Sequence, residues 1–342
     1  MKNLYAFILL LLIMACSQPN SHLPYTAVEV ETLFEDSLSI RAIEIMGNSI
    51  AFAADQGTFG TLDVNTGKVR TNVEKYDSIT PEFRAVAHTA TDFFMFSIGS
   101  PALLYKTGKK GKMDLVYMEE GEDVFYDALT FWNDMEGIAV GDTDQRCLSI
   151  IITRDGGNTW TRVACSVLPT AIDGEGAFAA SNTNIKTVGD KVWIGTTAGR
   201  IYYSGDKGNT WKAIQTPIKN DTPTHGIYSI DFFDENIGIA FGGDYSIPEG
   251  MKSNKALTID GGKTWHLVAD GQQPNYKSCV QFVPNSKGQE IVAMGFTGIS
   301  YSSDMGNSWR KLSEEPFYTF RFVNDSTAYA AGKGRISKLV FH

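Results

Sequence analysis

Ile150-Ile-Ile-Thr153-Arg-Asp155-Gly-Gly157-Asn-Thr159-Trp160 is the stretch that decides the fold. A β-branched run leads into a short polar turn and leaves it through a tryptophan. The pattern Ser/Thr-x-Asp-x-Gly-x-Ser/Thr-Trp recurs three times: Ser204 to Trp211 around Asp206 and Gly208, Thr258 to Trp265 around Asp260 and Gly262, and Ser302 to Trp309 around Asp304 and Gly306. Each copy lies between strand-like segments, so each is a hairpin turn. The Asp accepts hydrogen bonds from turn N–H groups. The Gly takes the positive φ that the reversal needs. The Trp buries its ring and offers its N–H to a partner. The tryptophans are 51, 54 and 44 residues apart. A period of that length marks a repeat architecture.

The turn resembles the Asp-box, or BNR, repeat. The wider unit also matches a family. Tyr126-Asp-Ala-Leu-Thr-Phe131 leads to Gly137-Ile-Ala-Val-Gly141 and then to Ile150 through Trp160. This is similar to the repeat of photosystem II assembly and stability factors and their relatives outside photosynthesis, over most of residues 40 to 340. The resemblance implies an all-β chain, a β-propeller of four-stranded antiparallel blades. It also implies a protein partner, bound in the family through a basic patch. This chain is acidic overall.

The blades can be counted from their opening strands. Seven such strands end at Ile45, His88, Phe131, Asn182, Phe232, Phe282 and Phe322, with spacings of 43, 43, 51, 50, 50 and 40 residues. Three residues before these ends stand Ala42, Ala85, Ala128, Ala179, Ser229, Cys279 and Thr319, all small, as the crowding near a propeller axis requires. A glycine often closes the second strand: Gly141, Gly195, Gly242, Gly295 and Gly332. The first two repeats keep only the hairpin turns Asp63 to Gly67 and Lys106 to Gly111. The last repeat, Phe317 to Phe341, has room for three strands. The alternating segment Tyr25 to Leu33 is expected to supply the fourth and to remove an open sheet edge. Seven blades are expected in one domain, residues 25–342. Six is the alternative, if the repeat near Phe83 is not a blade.

The N-terminus reads differently. Leu4 to Ala15 is uncharged and shorter than the roughly 20 residues that span a bilayer, so residues 1–15 read as a signal peptide. Ile13-Met-Ala-Cys16 resembles a bacterial lipobox, with Cys16 as the lipidated residue and residues 16–24 as a tether. An ordinary secretory signal is the alternative. The expectation is an exported lipoprotein held at the cell envelope by its lipid. Cleavage before Cys16 would leave 29 basic against 39 acidic residues.

The whole chain of 342 residues carries a formal charge of -9, which argues against a general nucleic-acid binder. The sharpest enzymatic alternative is a sialidase-like glycoside hydrolase, because those enzymes also carry Asp boxes. It needs an arginine cluster, a tyrosine–glutamate couple and an acid/base. The nearest match to their Phe/Tyr-Arg-Ile-Pro signature is Phe83-Arg-Ala-Val86, which lacks the proline. Gly195 to Gly199 lies in a hairpin and not at a strand-to-helix turn, so no dinucleotide fingerprint is present. The five histidines are scattered, no metal-ligand spacing is found, and no cofactor is expected. Asp55, Asp142, Asp144 and Asp244 follow strand ends, where a calcium site or plain solvated carboxylates are the two readings.

Cys147 and Cys165 flank the third and fourth strands of one blade. Pairing Thr153 with Thr159 sets them opposite each other, so a cross-strand disulfide is feasible in an exported protein, with two free thiols as the alternative. Cys279 occupies a small inner-strand position. Four residues before each inner-strand end stand Arg41, Arg84, Asp127, Phe178, Tyr228, Ser278 and Tyr318. Ring symmetry gathers them at one end of the axis. There they either receive an anionic or aromatic peptide group or serve interblade packing. The loop Tyr245 to Met251 is a second recognition candidate. The combined expectation is a monomeric, non-catalytic scaffold that binds a protein or peptide of the cell envelope, as an assembly or stability factor.

Overall fold

The computed structural model describes residues 23–144 and 146–342; Cys16 and the signal segment lie outside them. Seven antiparallel sheets stand around one axis. Six have four strands in sequence order. Their inner strands are Ala42–Met46, Phe83–His88, Tyr126–Phe131, Ile185–Val188, His225–Phe232 and Cys279–Phe282. The seventh begins at Thr319–Phe322. Each inner strand contacts the next, and the seventh contacts the first, so the ring is closed. Phe83–His88 opens a full four-stranded sheet, which rules out the six-bladed alternative.

The seventh blade joins both ends of the chain. Thr327–Phe341 reverses on itself at Gly334 (φ +82), and the Phe341 N–H reaches the Ser326 carbonyl at 2.8 Å. That element therefore supplies two passes. Val28–Ser39 adds the outermost one, pairing from Val28↔Phe341 to Ser39↔Lys333. The closing strand is longer than the segment Tyr25 to Leu33 foreseen for it, because it runs on to Ser39, just before the first inner strand. Tyr25 precedes it and is buried, its hydroxyl donating to the Asp325 carbonyl.

The core is divided among the gaps between blades. One apolar cluster fills each gap: for example, Leu38, Ile43, Phe52, Tyr329 and Ile336 join blades seven and one. The four repeated turns pin these gaps from outside. In each, the N–H of the residue between Asp and Gly donates to a carbonyl of the neighbouring turn, as Lys207 does to Asp190 at 2.8 Å, while the Asp carboxylate and the preceding hydroxyl close a fixed network. Asp206 accepts the Thr210 N–H at 2.8 Å and the Thr210 hydroxyl at 2.7 Å. The Ser204 hydroxyl donates to Asp206 and accepts the Gly208 N–H, both at 2.8 Å. Trp211 Nε1–H donates to the Gly208 carbonyl at 3.0 Å. The same bonds recur at Asp155, Asp260 and Asp304. The glycines hold φ of +78, +83, +84 and +84. A Cβ on Gly157 would stand 2.3 Å from the Phe94 ring, so this turn needs glycine for space as well. The tryptophans reach the neighbouring blade: Trp160 lies edge-on to Phe94, and Trp309 to Phe241.

Blade four departs from the sequence alignment. Its inner strand is Ile185–Val188, and the stretch ending at Asn182 is no strand. In every blade the residue that faces the crowded position pairs with the one before the closing glycine or its equivalent. Ala128↔Val140, Ser229↔Phe241, Cys279↔Met294 and Thr319↔Ala331 follow this rule, and in blade four the pair is Ile185↔Ile194. Six of the seven positions are small, and the fourth is Ile185. Asn182 takes φ +60, which breaks an extended strand.

The displaced segment crosses the axis. The Asn182 side chain accepts the Leu129 N–H at 2.9 Å and donates to the Val86 carbonyl at 2.7 Å. The Ser181 hydroxyl donates to the Ser278 carbonyl, and Thr319 Oγ1 donates to the Ser181 carbonyl. The Thr183 hydroxyl meets that of Ser229 at 2.7 Å, and the Thr183 carbonyl accepts the Ile230 N–H. Ser181 to Thr183 thus touches blades two, three, five, six and seven. It satisfies inner-strand backbone that faces the axis with no ladder partner. The axial channel is plugged.

Cys147 and Cys165 are bonded through sulfur, with Cα atoms 5.6 Å apart. The ladder pairs Ile151 with Arg162 and Ile152 with Thr161, one residue out of the Thr153–Thr159 register. Cys165 instead begins a short 3-10 turn, Cys165–Val167, which brings its sulfur back to the blade.

Candidate functional site

On one face the plug turns the channel into a cup of about 500 Å³. Arg41, Arg84, Asp127, Phe178, Tyr228, Ser278 and Tyr318 all line it. Six arrive from inner strands or the residues just before them. Phe178 arrives by a different route, from the plugging segment. The structural counterpart of the other six in blade four is Asn184, which is buried with its amide unpaired by any described residue.

The arginines differ. Arg84 is held by Glu82, with Nε to Oε1 at 2.7 Å. Arg41 lies over the Tyr318 ring, 4.2 Å from its centroid, and makes no ion pair among the described residues. Its Nε is buried and unpartnered. Burial, then the charge of Arg84, pulls the Arg41 pKa down. Asp127 is wholly buried; among the described residues neither of its oxygens has a hydrogen bond of normal geometry, and Asp142 and the Ala179 N–H stand nearest it. Burial and the neighbouring Asp142 push its pKa well up, with Arg84 opposing. Asp142 is partly exposed to the cup and accepts the Ala177 N–H at 3.0 Å. Burial raises its pKa too, against that hydrogen bond. Of the two, Asp127 is pushed further up, because it is wholly buried.

The opposite wall is aromatic. Phe178 and Tyr228 stack with centroids 3.8 Å apart and planes within 2°. Tyr276 stands edge-on to Tyr228, and Phe296 packs on Tyr276. Burial pushes the Tyr228 and Tyr276 phenols up, so neither is an activated nucleophile. The Tyr228 hydroxyl donates to the Thr224 carbonyl, and that of Ser278 to the Tyr318 carbonyl. Tyr245, from the second candidate loop, stands at the rim and is 51% exposed.

Sequence reasoning missed Asp142 and Phe296 as cup residues. Each directly follows a closing glycine, Gly141 or Gly295, so this second ring of positions was readable. Tyr276 carries no such signal. The other three strand-end carboxylates go elsewhere. Asp55 accepts the Ser39 N–H, Asp144 pairs with Arg162, and Asp244 accepts from Ser246. No group of three or more metal-type ligands occurs among the described residues.

The hydrolase alternative can be compared with this geometry. The cup holds two arginines, and among the described residues no glutamate lines it. A tyrosine–glutamate contact does exist, since Tyr117 and Tyr126 both donate to Glu119, but it lies between blades two and three. There burial raises both phenols.

Together the ring, the plug and the cup define a seven-bladed β-propeller with an axial recess on one face. A family model described as sortilin, neurotensin receptor 3, matches residues 148–297, under half of the chain. No curated protein matches. Among solved structures, "YCF48 bound to D1 peptide" is 13% identical with a TM-score of 0.64, covering 93% of this chain and 98% of that one. The YCF48 protein of Cyanidioschyzon merolae is 15% identical with a TM-score of 0.61, covering 93% and 99%. The WD40 repeats of RRP9 are 11% identical with a TM-score of 0.64, covering 93% and 99%. At these identities the likeness is one of fold.

Proposed function

We propose that this chain is an exported, lipid-anchored, non-catalytic scaffold that binds a protein or peptide of the cell envelope in its axial cup. The observation that carries the reading is the convergence of Arg41, Arg84 and the Phe178–Tyr228 wall on one recess. A guanidinium without a carboxylate partner, beside apolar rings, suits an anionic group on an apolar body. The solved structure titled as YCF48 with a D1 peptide shares the fold, which supports peptide binding by such a ring. The Cys147–Cys165 bond fits an oxidising compartment, and Cys16 in its lipobox-like setting supports attachment to a membrane. A role as an assembly or stability factor for an envelope complex follows from the family resemblance, and the four Asp-box-like turns belong to that reading. Crosslinking in the native host tests it. A defined envelope protein should be captured by the wild type, and less of it by Arg41→Gln and Arg84→Gln variants. Equal capture by all three proteins overturns the assignment of the cup. Turnover of a chromogenic sialoside by the purified protein would overturn the non-catalytic reading.

A further inference from the structure

The cup carries unmet charge of both signs, and this narrows what it holds. Arg84 is already neutralised by Glu82. Arg41 and Asp142 are not, since neither makes an ion pair among the described residues. Behind Asp142 stands Asp127, wholly buried, with the Asp142 carboxyl and the Ala179 N–H as its near polar neighbours.

A purely anionic ligand would satisfy Arg41 and desolvate Asp142 without compensation. A purely cationic one would do the reverse. Either burial is costly. We infer that the cup takes a small zwitterion, a free amino acid or short unblocked peptide, with its ammonium group on Asp142 and its carboxylate on Arg41. Its apolar body lies against the Phe178–Tyr228 stack. An ammonium group brings three donors. One meets Asp142. The volume of about 500 Å³ admits a di- or tripeptide. The inference rests on the cup being the binding site.

Isothermal titration of the purified full chain tests it with three probes: the dipeptide phenylalanyl-phenylalanine, its N-acetyl form and its C-terminal amide. The free dipeptide should bind, and each blocked form should bind about tenfold more weakly or worse, as expected for losing one charge-assisted contact. Asp142→Asn keeps the acceptor for Ala177 and should weaken the free dipeptide about tenfold while leaving the N-acetyl form unchanged. Arg41→Gln should do the same for the free dipeptide and spare the amide. The blocked probes on the wild type decide the matter even if a variant fails to fold. An N-acetyl form that binds as well as the free dipeptide overturns the zwitterion and leaves an anionic-peptide site, so the proposed function survives. Binding by none of the three also overturns it, and the crosslinking experiment then judges the broader reading separately.

Discussion

Replacing Asn182 by alanine should cost the fold about 4 kcal/mol, and the sum can be built from the structure. The side chain accepts the Leu129 N–H and donates to the Val86 carbonyl, with a longer contact of 3.3 Å to the Leu129 carbonyl. All of these sit on buried inner-strand edges that face the axis. Removing the amide leaves one donor and one acceptor unsatisfied, at about 1–3 kcal/mol each, or about 3 kcal/mol together. The residue also holds φ +60. Asparagine tolerates that region, whereas alanine adds about 1 kcal/mol. Glycine removes the second cost and keeps the first. The usual order is therefore inverted at this site, with the glycine variant about 1 kcal/mol more stable than the alanine one. Urea unfolding followed by tryptophan fluorescence gives the stabilities, and amide exchange at Leu129 reports the lost bond directly. An alanine variant within about 0.5 kcal/mol of wild type, typical of an uninvolved surface site, would refute the claim that this side chain anchors the plug.

Three further outcomes follow from other parts of the ring. Replacing Cys147 and Cys165 together by serine should destabilise the protein by about 3 kcal/mol, the loop-closure value for their separation of 18 residues, read from denaturant midpoints with and without reductant. At Asp260, burial raises the pKa, but the N–H and hydroxyl of Thr264 and the hydroxyl of Thr258 outweigh it and bring it to about 2. A depressed carboxylate stabilises the fold above its unfolded pKa, near 4, and that share is lost as pH falls toward 2. Asp260→Ala should thus cost about 1 kcal/mol at neutral pH, after allowance for screening at this turn, and the gap to wild type should shrink between pH 5 and pH 2 in thermal unfolding. Deleting the chain through Ser39 strips the outer strand from Thr327–Phe341. The uncovered edge should drive self-association, seen by light scattering; a monodisperse truncated monomer would contradict the closure argument.

Much of this architecture was legible because two local constraints repeat. Turn chemistry fixed the hairpins through Asp206, Gly208 and Trp211 and their counterparts. Crowding at the axis fixed the inner strands through Ala42, Ala85, Ala128, Ser229, Cys279 and Thr319. Blade four escaped because Ala177-Phe-Ala-Ala180 imitates an inner strand in composition while its backbone serves another purpose. The better signal was Gly189-Asp190, a two-residue turn between Ile185–Val188 and Lys191–Gly195, where Val188 pairs with Lys191. Six of the seven mouth residues were readable from ring symmetry alone; Phe178 reaches the cup from the plugging segment instead. Asp142 and Phe296 were readable only if the residue after the closing glycine is counted as a second ring. Neither route yields Tyr276, nor the pairing of Asp127 with Asp142, because both depend on how adjacent blades lean on one another.

The misplaced segment is also what makes the site. An open channel admits water from both faces, and charges lining it stay solvated and cheap. Ser181 to Thr183 separates the cup from a second cavity of about 160 Å³ on the other side, lined by Asn182, Thr183, Glu44 and Arg321. With the floor closed, water reaches Arg41 and Asp142 only from above. A ligand that covers the mouth then removes them from water together, and their charges act at a lower effective dielectric. The floor and the selectivity are therefore linked. Opening the plug through Asn182→Ala should lower discrimination between the free and N-acetyl dipeptides, even though Asn182 lies beneath the cup and does not line it. If that variant discriminates as sharply as wild type, selectivity comes from the rim and walls alone, and the plug is only a brace.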